Sequence, residues 1–161
     1  ERADVVTPAL SVVQVLTPSG ARGSGMLVWT SGDLGIVVTA SHLIGRHLNI
    51  ALVWHNGRRT AGRLIANNPY TDLAVAAVRP PAGAQVLPLA RSAELPPVGE
   101  KLRLAGFGGG RLRQWETSLC GYRPDVRHTT NYFLVSTGAG PATGRRSLQP
   151  ACASRRHGYQ W

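Results

Sequence analysis

Short apolar runs rich in β-branched residues recur along this chain of 161 residues, separated by clusters of Gly, Pro, Asn and Ser. Runs of this kind with such separators are typical of the strands of a β-sandwich or β-barrel. Helical periodicity occurs only briefly, over Ala40–Arg46. The sequence therefore predicts an all-β fold whose strands are Leu10–Leu16, Gly25–Trp29, Gly35–Thr39, Asn49–Trp54, Thr60–Asn67, Leu73–Val78, Lys101–Phe107, Trp115–Tyr122 and Tyr132–Ser136.

One connection is specific enough to predict its turn type. His55-Asn56-Gly57-Arg58 separates the fourth and fifth runs. Because Asn-Gly readily takes the positive φ values of a type I′ turn, these two runs are predicted to form a β-hairpin.

Proline-rich sequence between the sixth and seventh runs divides the chain into two units. Pro80-Pro81-Ala-Gly83 and Leu95-Pro96-Pro97 bracket this linker, with six predicted strands before it and three after it. Beyond about Gly138 the β-alternation stops and no acidic residue remains, as in a disordered basic terminus. The pattern predicts a complete β-unit at 1–79, a linker at 80–97, an unfinished β-unit at 98–137 and an aberrant basic tail at 138–161.

The charge of the chain is strongly positive but dispersed. A net charge of +10 arises from 18 Lys and Arg, all but Lys101 being Arg, against 8 acidic residues. Nucleic-acid-binding proteins usually gather such charge into a patch interleaved with aromatic residues, and the arginines here are scattered. Nucleic acid is therefore disfavoured as a partner, and the preference for Arg fits a GC-rich genome.

Other function classes are limited by what the sequence does not contain. No apolar run is long enough for a membrane-spanning helix. No His and Cys spacing resembles a zinc site, so neither a metal nor a cofactor is predicted. Cys120 and Cys152 are compatible with one disulfide or with two unrelated thiols. The chain begins at Glu1 without a signal-peptide pattern, which is the expectation for a mature form or a fragment.

Two polar residues, His42 and Asp72, lie at the ends of apolar runs, where a strand would hold their side chains rigidly. His42 ends the run that begins at Gly35, and Asp72 heads the run that ends at Val78. A general base must be held at hydrogen-bonding distance from its nucleophile, and an aspartate on its other ring nitrogen fixes the tautomer. Taken alone, each residue is more often structural: a histidine after an apolar run, or an aspartate that caps a turn.

Four motifs in order make the pattern more specific. They are Arg22-Gly23-Ser24-Gly25-Met26-Leu-Val28, Gly35-Ile-Val-Val-Thr-Ala-Ser-His42, Tyr70-Thr-Asp72-Leu-Ala-Val75 and Leu104-Ala-Gly106-Phe-Gly108. Over roughly Ala9 to Ser136, the chain resembles the trypsin-like (chymotrypsin-fold) serine peptidases, and the short bacterial HtrA-like branch most closely.

The resemblance implies a double β-barrel with the active site in the groove between barrels, here with a complete first barrel and a truncated second one. It implies that His42 is the general base and Asp72 its partner in acyl transfer by a serine endopeptidase. Ser41 stands where the family commonly has alanine, and His47, His55 and His128 match no catalytic position. The family expectation is a protein or peptide substrate and a secreted, periplasmic or cell-envelope location.

The nucleophile of that family is missing from the sequence. Aligning Pro141 with the proline that often precedes Gly-(Asp/Asn)-Ser-Gly-Gly places Ala142-Thr-Gly144-Arg145-Arg146 on the five motif positions. Gly144 then occupies the serine position, and Ser136, Ser147 and Ser154 lack the glycine context. The polypeptide is therefore expected to be inactive.

Two explanations of the loss are open: a pseudoenzyme that keeps the fold as a protein-binding module, and a reading-frame error in the gene. Back-translation of Pro141-Ala-Thr143 permits Gly-Asp in one alternative frame, and codons from Gly144 onward permit Gly-Gly-Ala-Leu-Phe-Asn in the other. The two frames join if the serine codon has lost one base, and the frameshift is the favoured hypothesis. A weaker alternative is a basic β-domain that binds nucleic acid or another polyanion.

Overall fold

The computed structural model describes residues 7–89, 96–125 and 130–135, and the side chains of residues 7–89 and 96–121. These residues form nine strands and two short helices, so the all-β prediction is confirmed. The elements are α1 (Pro8–Ser11), β1 (Val12–Leu16), β2 (Arg22–Ser31), β3 (Leu34–Ala40), α2 (Ser41–Ile44), β4 (Asn49–Val53), β5 (Arg59–Asn68), β6 (Leu73–Val78), β7 (Lys101–Gly108), β8 (Arg111–Asp125) and β9 (Thr130–Val135).

The first strand begins at Val12, two residues later than the sequence predicted. Residues 8–11 form the single helical turn α1, in which the N–H of Val12 donates to the carbonyl of Pro8. Proline favours the first turn of a helix, because its fixed φ is helical and its missing N–H has no partner there in any case. This local effect overrides the β-pattern that predicted a strand from Leu10.

The first six strands close into a barrel in the order β1-β2-β3-β6-β5-β4, with every neighbouring pair antiparallel. The register shifts between Leu27 and Trp29 in β2, and between Leu64 and Ala66 in β5. An extra residue of this kind bends a strand and increases its twist, which helps a small sheet to close.

The barrel interior is filled by aliphatic side chains and one indole. Trp54 is 2% exposed, and its Nε1–H donates to Thr60 Oγ1 over 2.7 Å, so its polar atom is satisfied inside the core. The buried cluster consists of Val13, Val15, Leu27, Val37, Ile44, Ile50, Leu52, Trp54, Ala74, Ala76 and Val78. Ile44 belongs to α2, so the core also anchors the short helix that follows β3.

The hairpin between β4 and β5 has a different turn from the predicted one. The carbonyl of Trp54 accepts the N–H of Gly57 over 2.8 Å, and Gly57 has a φ of 77°. Asn56 has no positive φ; its Oδ1 instead accepts the N–H of Arg58. The connection is thus a three-residue loop with glycine in the left-handed position, not a type I′ turn. The hairpin prediction is confirmed and the turn type was wrong, because the side-chain bond lets Asn56 keep a negative φ.

The described residues divide into two compact units. The first comprises 7–89 and 105–114, and the second comprises 96–104, 115–125 and 130–135. Outside the barrel, β7, β8 and β9 form a three-stranded sheet in that order. Within the second unit, Leu119 is buried, and its backbone is bonded to Gly99 and Glu100. In the described part of the chain, the second β-unit is therefore an open sheet and not a second closed barrel.

Neither α1 nor α2, the helices among the described residues, is long and apolar enough to cross a membrane.

Candidate active site

The pairing of β3 with β6 brings the two candidate residues together. Ala40, the last residue of β3, pairs with Leu73, the first residue of β6. The N–H of Ser41 then donates to the carbonyl of Asp72 over 3.1 Å, which extends the ladder by one bond. Residues that follow β3 and precede β6 are thereby neighbours, although 30 positions separate them in sequence.

The carboxylate of Asp72 binds His42 through both oxygens. Oδ1 accepts the backbone N–H of His42 over 2.8 Å, and Oδ2 lies 2.7 Å from Nδ1 of the imidazole. An ionised carboxylate only accepts hydrogen bonds, so this contact requires a proton on Nδ1, and in the neutral form of the imidazole the lone pair is then on Nε2. Two bonds to one residue fix both the position of the backbone and the rotation of the ring.

The two side chains differ sharply in solvent exposure. The side chain of Asp72 is 6% exposed, whereas that of His42 is 54% exposed. No described residue forms a hydrogen bond with Nε2 of His42. A buried acid thus orients an exposed ring whose second nitrogen has no hydrogen-bond partner among the described residues, which is compatible with the requirements of a general base.

The backbone at Asp72 has an unusual conformation. Its φ is 55°, and it is the only non-glycine residue with a positive φ among the described residues. Aspartate tolerates this left-handed region better than most residues. The preceding turn is held by Asn68, whose Oδ1 accepts the N–H groups of Tyr70 and Thr71 over 2.9 and 3.3 Å. The carboxylate that follows this turn is the one bonded to His42.

The Gly23-Ser24-Gly25 motif supports the same region from β2. A Cβ on Gly23 would overlap a methyl group of Leu43, so glycine makes room for the side chain next to His42. The carbonyl of Ser24 accepts the hydroxyl of Thr39 over 2.8 Å, and its Oγ accepts the N–H of Phe107 over 2.8 Å. The motif therefore packs beside Leu43, next to His42, and bonds the strand that leads into His42 through Thr39.

A second set of contacts was not predicted from the sequence. Ser41 donates its hydroxyl to Oδ1 of Asn67, and Nδ2 of Asn67 donates to the carbonyl of Gly45 over 2.8 Å. Asn67 lies on β5 opposite Ala74. Ser41 is the first residue of α2 and Gly45 follows its last residue, so one amide bridges the two ends of the turn that carries His42.

The other residues considered from the sequence either lie away from His42 and Asp72 or lie outside the described residues. Nε2 of His47 lies 3.1 Å from Ser19 Oγ at the surface, and His55 is exposed in the β4–β5 turn. His128, Cys152 and Gly144, near which the nucleophile is expected, lie outside the described residues, as do Ser136, Ser147 and Ser154. No group of three His, Cys, Asp or Glu side chains in the described ranges could hold a metal ion.

Comparison with known protein families gives one match. A family model described as the trypsin-like peptidase domain matches residues 23–147, which is more than three quarters of the chain. The matched span begins at the Gly-Ser-Gly motif and contains both His42 and Asp72. No curated protein sequence matches the chain.

Solved structures share the fold at low sequence identity. The Rv3671c protease in an inactive form has a TM-score of 0.63 and 20% identity, covering 82% of this chain and 68% of its own. A serine-to-alanine mutant of Rv3671c from M. tuberculosis H37Rv, also in an inactive form, has a TM-score of 0.61 and 20% identity, covering 80% and 62%. The HtrA-type protease AlgW with a decapeptide has a TM-score of 0.64 and 17% identity, covering 80% and 48%. The present chain thus spans between about half and two thirds of the length of these structures.

Proposed function

Because this chain belongs to the family of trypsin-like peptidases, we propose that His42 and Asp72 are the general base and orienting acid of a serine endopeptidase centre that lacks its nucleophile. The observation that carries the proposal is the pair of hydrogen bonds between Asp72 and His42, together with an exposed imidazole whose Nε2 has no partner among the described residues. Taken alone, either residue is compatible with a structural role. Their joint geometry matches the requirements of a base and its partner.

In a complete centre, each residue has a defined task. Nε2 of His42 takes the proton of a serine hydroxyl while the serine oxygen forms a bond to the carbonyl carbon of a peptide. The imidazolium that results is stabilised by the carboxylate of Asp72, which stays ionised. The same proton then passes to the amine that leaves, and an acyl-enzyme remains for hydrolysis by water. Peptides and proteins are therefore the proposed substrate class.

The polypeptide itself is proposed to be inactive, because its sequence has no serine at the expected position. Gly144 stands there, and Ala142 and Arg145 replace glycines of the family motif. Glycines at such positions let a loop turn its N–H groups toward a developing oxyanion, so the substitutions affect more than the nucleophile. A reading-frame error is the proposed origin of this segment. A secreted or periplasmic location is part of the same proposal.

A fluorophosphonate probe tests the proposal directly. The chain as it stands should show no labelling. A restored chain, in which Pro141 is followed by Gly-Asp-Ser-Gly-Gly and the reading frame that continues Ala-Leu-Phe-Asn, should be labelled at the new serine. His42→Ala in the restored chain should abolish labelling, and Ser19→Ala, next to His47, should leave it unchanged. Labelling of the present chain would place the nucleophile elsewhere and overturn the proposal.

The second candidate is a peptidase homologue that binds proteins without cutting them. The observation in its favour is that Ala142, Gly144 and Arg145 together remove both the nucleophile and its glycine context. An uninterrupted reading frame through this segment in the gene, together with a restored chain that binds but never cleaves peptides, would favour this candidate over the endopeptidase.

A further inference from the structure

We propose that Asn67, acting with Ser41, is a positioning residue that holds the helical turn of His42 in register with Asp72. The inference rests on the proposed roles of His42 and Asp72. It concerns contacts that the family resemblance does not supply, since Ser41 stands where alanine is common in that family.

The turn that carries His42 needs external support. Helix α2 has four residues, Ser41–Ile44, and one internal bond links the carbonyl of Ser41 to the N–H of Gly45 over 2.9 Å. A single helical turn fixes several dihedral angles for one hydrogen bond, so its formation is unfavourable without tertiary contacts. Ala40, at its N-terminus, provides no side-chain cap.

The Asn67 side chain supplies that support at both ends of the turn. Its Oδ1 accepts the hydroxyl of Ser41, and its Nδ2 donates to the carbonyl of Gly45 over 2.8 Å. The carbonyl of Gly45 can only accept, so the amide orientation is determined and Ser41 must be the donor. Because Ser41 is 4% exposed, its hydroxyl would lose a buried partner if Asn67 were absent.

The position of Asn67 is itself fixed by the barrel. Asn67 pairs with Ala74 of β6, and Ala74 also pairs with Thr39 of β3. Strand β5, which carries Asn67, is thus paired with β6, the strand that follows Asp72. Asp72 binds the imidazole and the N–H of His42, while Asn67 binds both ends of the turn, so the segment that carries the ring is held at its side chain and at its backbone.

Asn67→Ala in the present chain tests the proposal. Two signals report on His42: the proton resonance of imidazole Nδ1–H, and hydrogen exchange of the His42 backbone amide bonded to Asp72. With two hydrogen bonds lost, we expect this amide to exchange about tenfold faster. The Nδ1–H resonance should broaden through faster exchange with water.

Two half-variants separate the bonds of Asn67. Asn67→Asp keeps an acceptor for Ser41 but turns a carboxylate oxygen toward the carbonyl of Gly45, whereas Ser41→Ala removes the first bond and keeps the second. Ser41→Ala should give a smaller change than Asn67→Ala, and Asn67→Asp, in which two oxygen atoms repel each other, should give a change at least as large as Asn67→Ala. Ser41→Ala combined with Asn67→Ala should add little to Asn67→Ala alone, because the two residues act as one unit.

Thr60→Val is the matched control for general destabilisation. It removes the acceptor of the buried Trp54 indole in the same barrel, far along the chain from α2. It should lower stability and leave both His42 signals unchanged. If both His42 signals are also unchanged in Asn67→Ala, the proposed positioning role of Asn67 is wrong. The readouts need no nucleophile, so a failure of fluorophosphonate labelling in the restored chain would overturn the endopeptidase proposal and not this one.

Discussion

Asp72 binds His42 through both carboxylate oxygens, one to the backbone N–H over 2.8 Å and one to Nδ1 over 2.7 Å. The contact follows from the register of β3 and β6, in which Ala40 pairs with Leu73. A shift of this register by one residue would turn the two side chains to opposite faces. The geometry of the candidate site is therefore a property of the barrel and is present without a nucleophile.

Asp72→Asn should change the tautomer of His42 with little change in backbone geometry. Asparagine tolerates a φ of 55°, and its carbonyl oxygen can still accept the backbone N–H of His42. Its NH₂ group would face Nδ1, so the ring proton should move to Nε2. Imidazole ¹⁵N NMR should show this change, with a loss of about 1–2 kcal/mol in the free energy of unfolding.

The stability of Asp72→Ala should be compared with that of Asp72→Asn. Asp72→Ala should cost more than Asp72→Asn, because alanine is disfavoured at positive φ by about 1 kcal/mol and removes the acceptor of both the backbone N–H and the Nδ1–H of His42. Equal stability of the two variants in urea would show that the carboxylate does not hold His42 as described.

Gly23→Ala should destabilise the barrel through Leu43. The new Cβ would overlap a methyl group of Leu43, which is the end of a flexible, half-buried side chain, so the cost should lie at or below the lower end of the roughly 1–3 kcal/mol typical of overpacking. Leu43→Ala should remove most of that penalty, which a double-mutant cycle in urea measures as a coupling energy. The control is Gly25→Ala, whose Cβ would lie 2.8 Å from Val37 Cγ1 and 3.0 Å from Val15 Cγ2. Its cost should be the same with and without Leu43→Ala.

Leu52→Ala should be among the most destabilising aliphatic truncations in the first unit. Leu52 is 0% exposed within the barrel, and loss of a buried leucine side chain costs about 2–5 kcal/mol. Leu48→Ala is a control of the same chemistry close by, since Leu48 is 70% exposed and should change stability by about 0.5 kcal/mol or less. Similar urea midpoints for the two variants would contradict the assignment of the core.

The sequence was most informative where a local pattern has one structural solution. The run Leu73–Val78 coincides with β6, and the run before His42 ends within one residue of β3, since a short apolar run bounded by turn residues marks a buried strand irrespective of its partners. The bond between Ser41 and Asn67 joins residues 26 positions apart and has no periodic signal. The turn at Asn56 and the helical turn at Pro8 depend on local hydrogen bonds that the pattern of apolar residues does not encode. Contacts of these kinds become visible only once the register of the strands is known.

The reading-frame hypothesis makes a prediction about individual codons. For Gly144 onward to yield Gly-Gly-Ala-Leu-Phe-Asn in the alternative frame, Gly144 must be GGG, Arg145 must be CGG or AGG, and Arg146 must be CGC. The same frame requires TCT for Ser147, CTT for Leu148 and CAA for Gln149. In a GC-rich gene under selection for the present protein, these last three residues should instead use codons that end in G or C. Sequencing of the gene distinguishes the two: TCT-CTT-CAA supports a shifted frame, and codons such as TCC-CTG-CAG would rule it out and leave the pseudoenzyme.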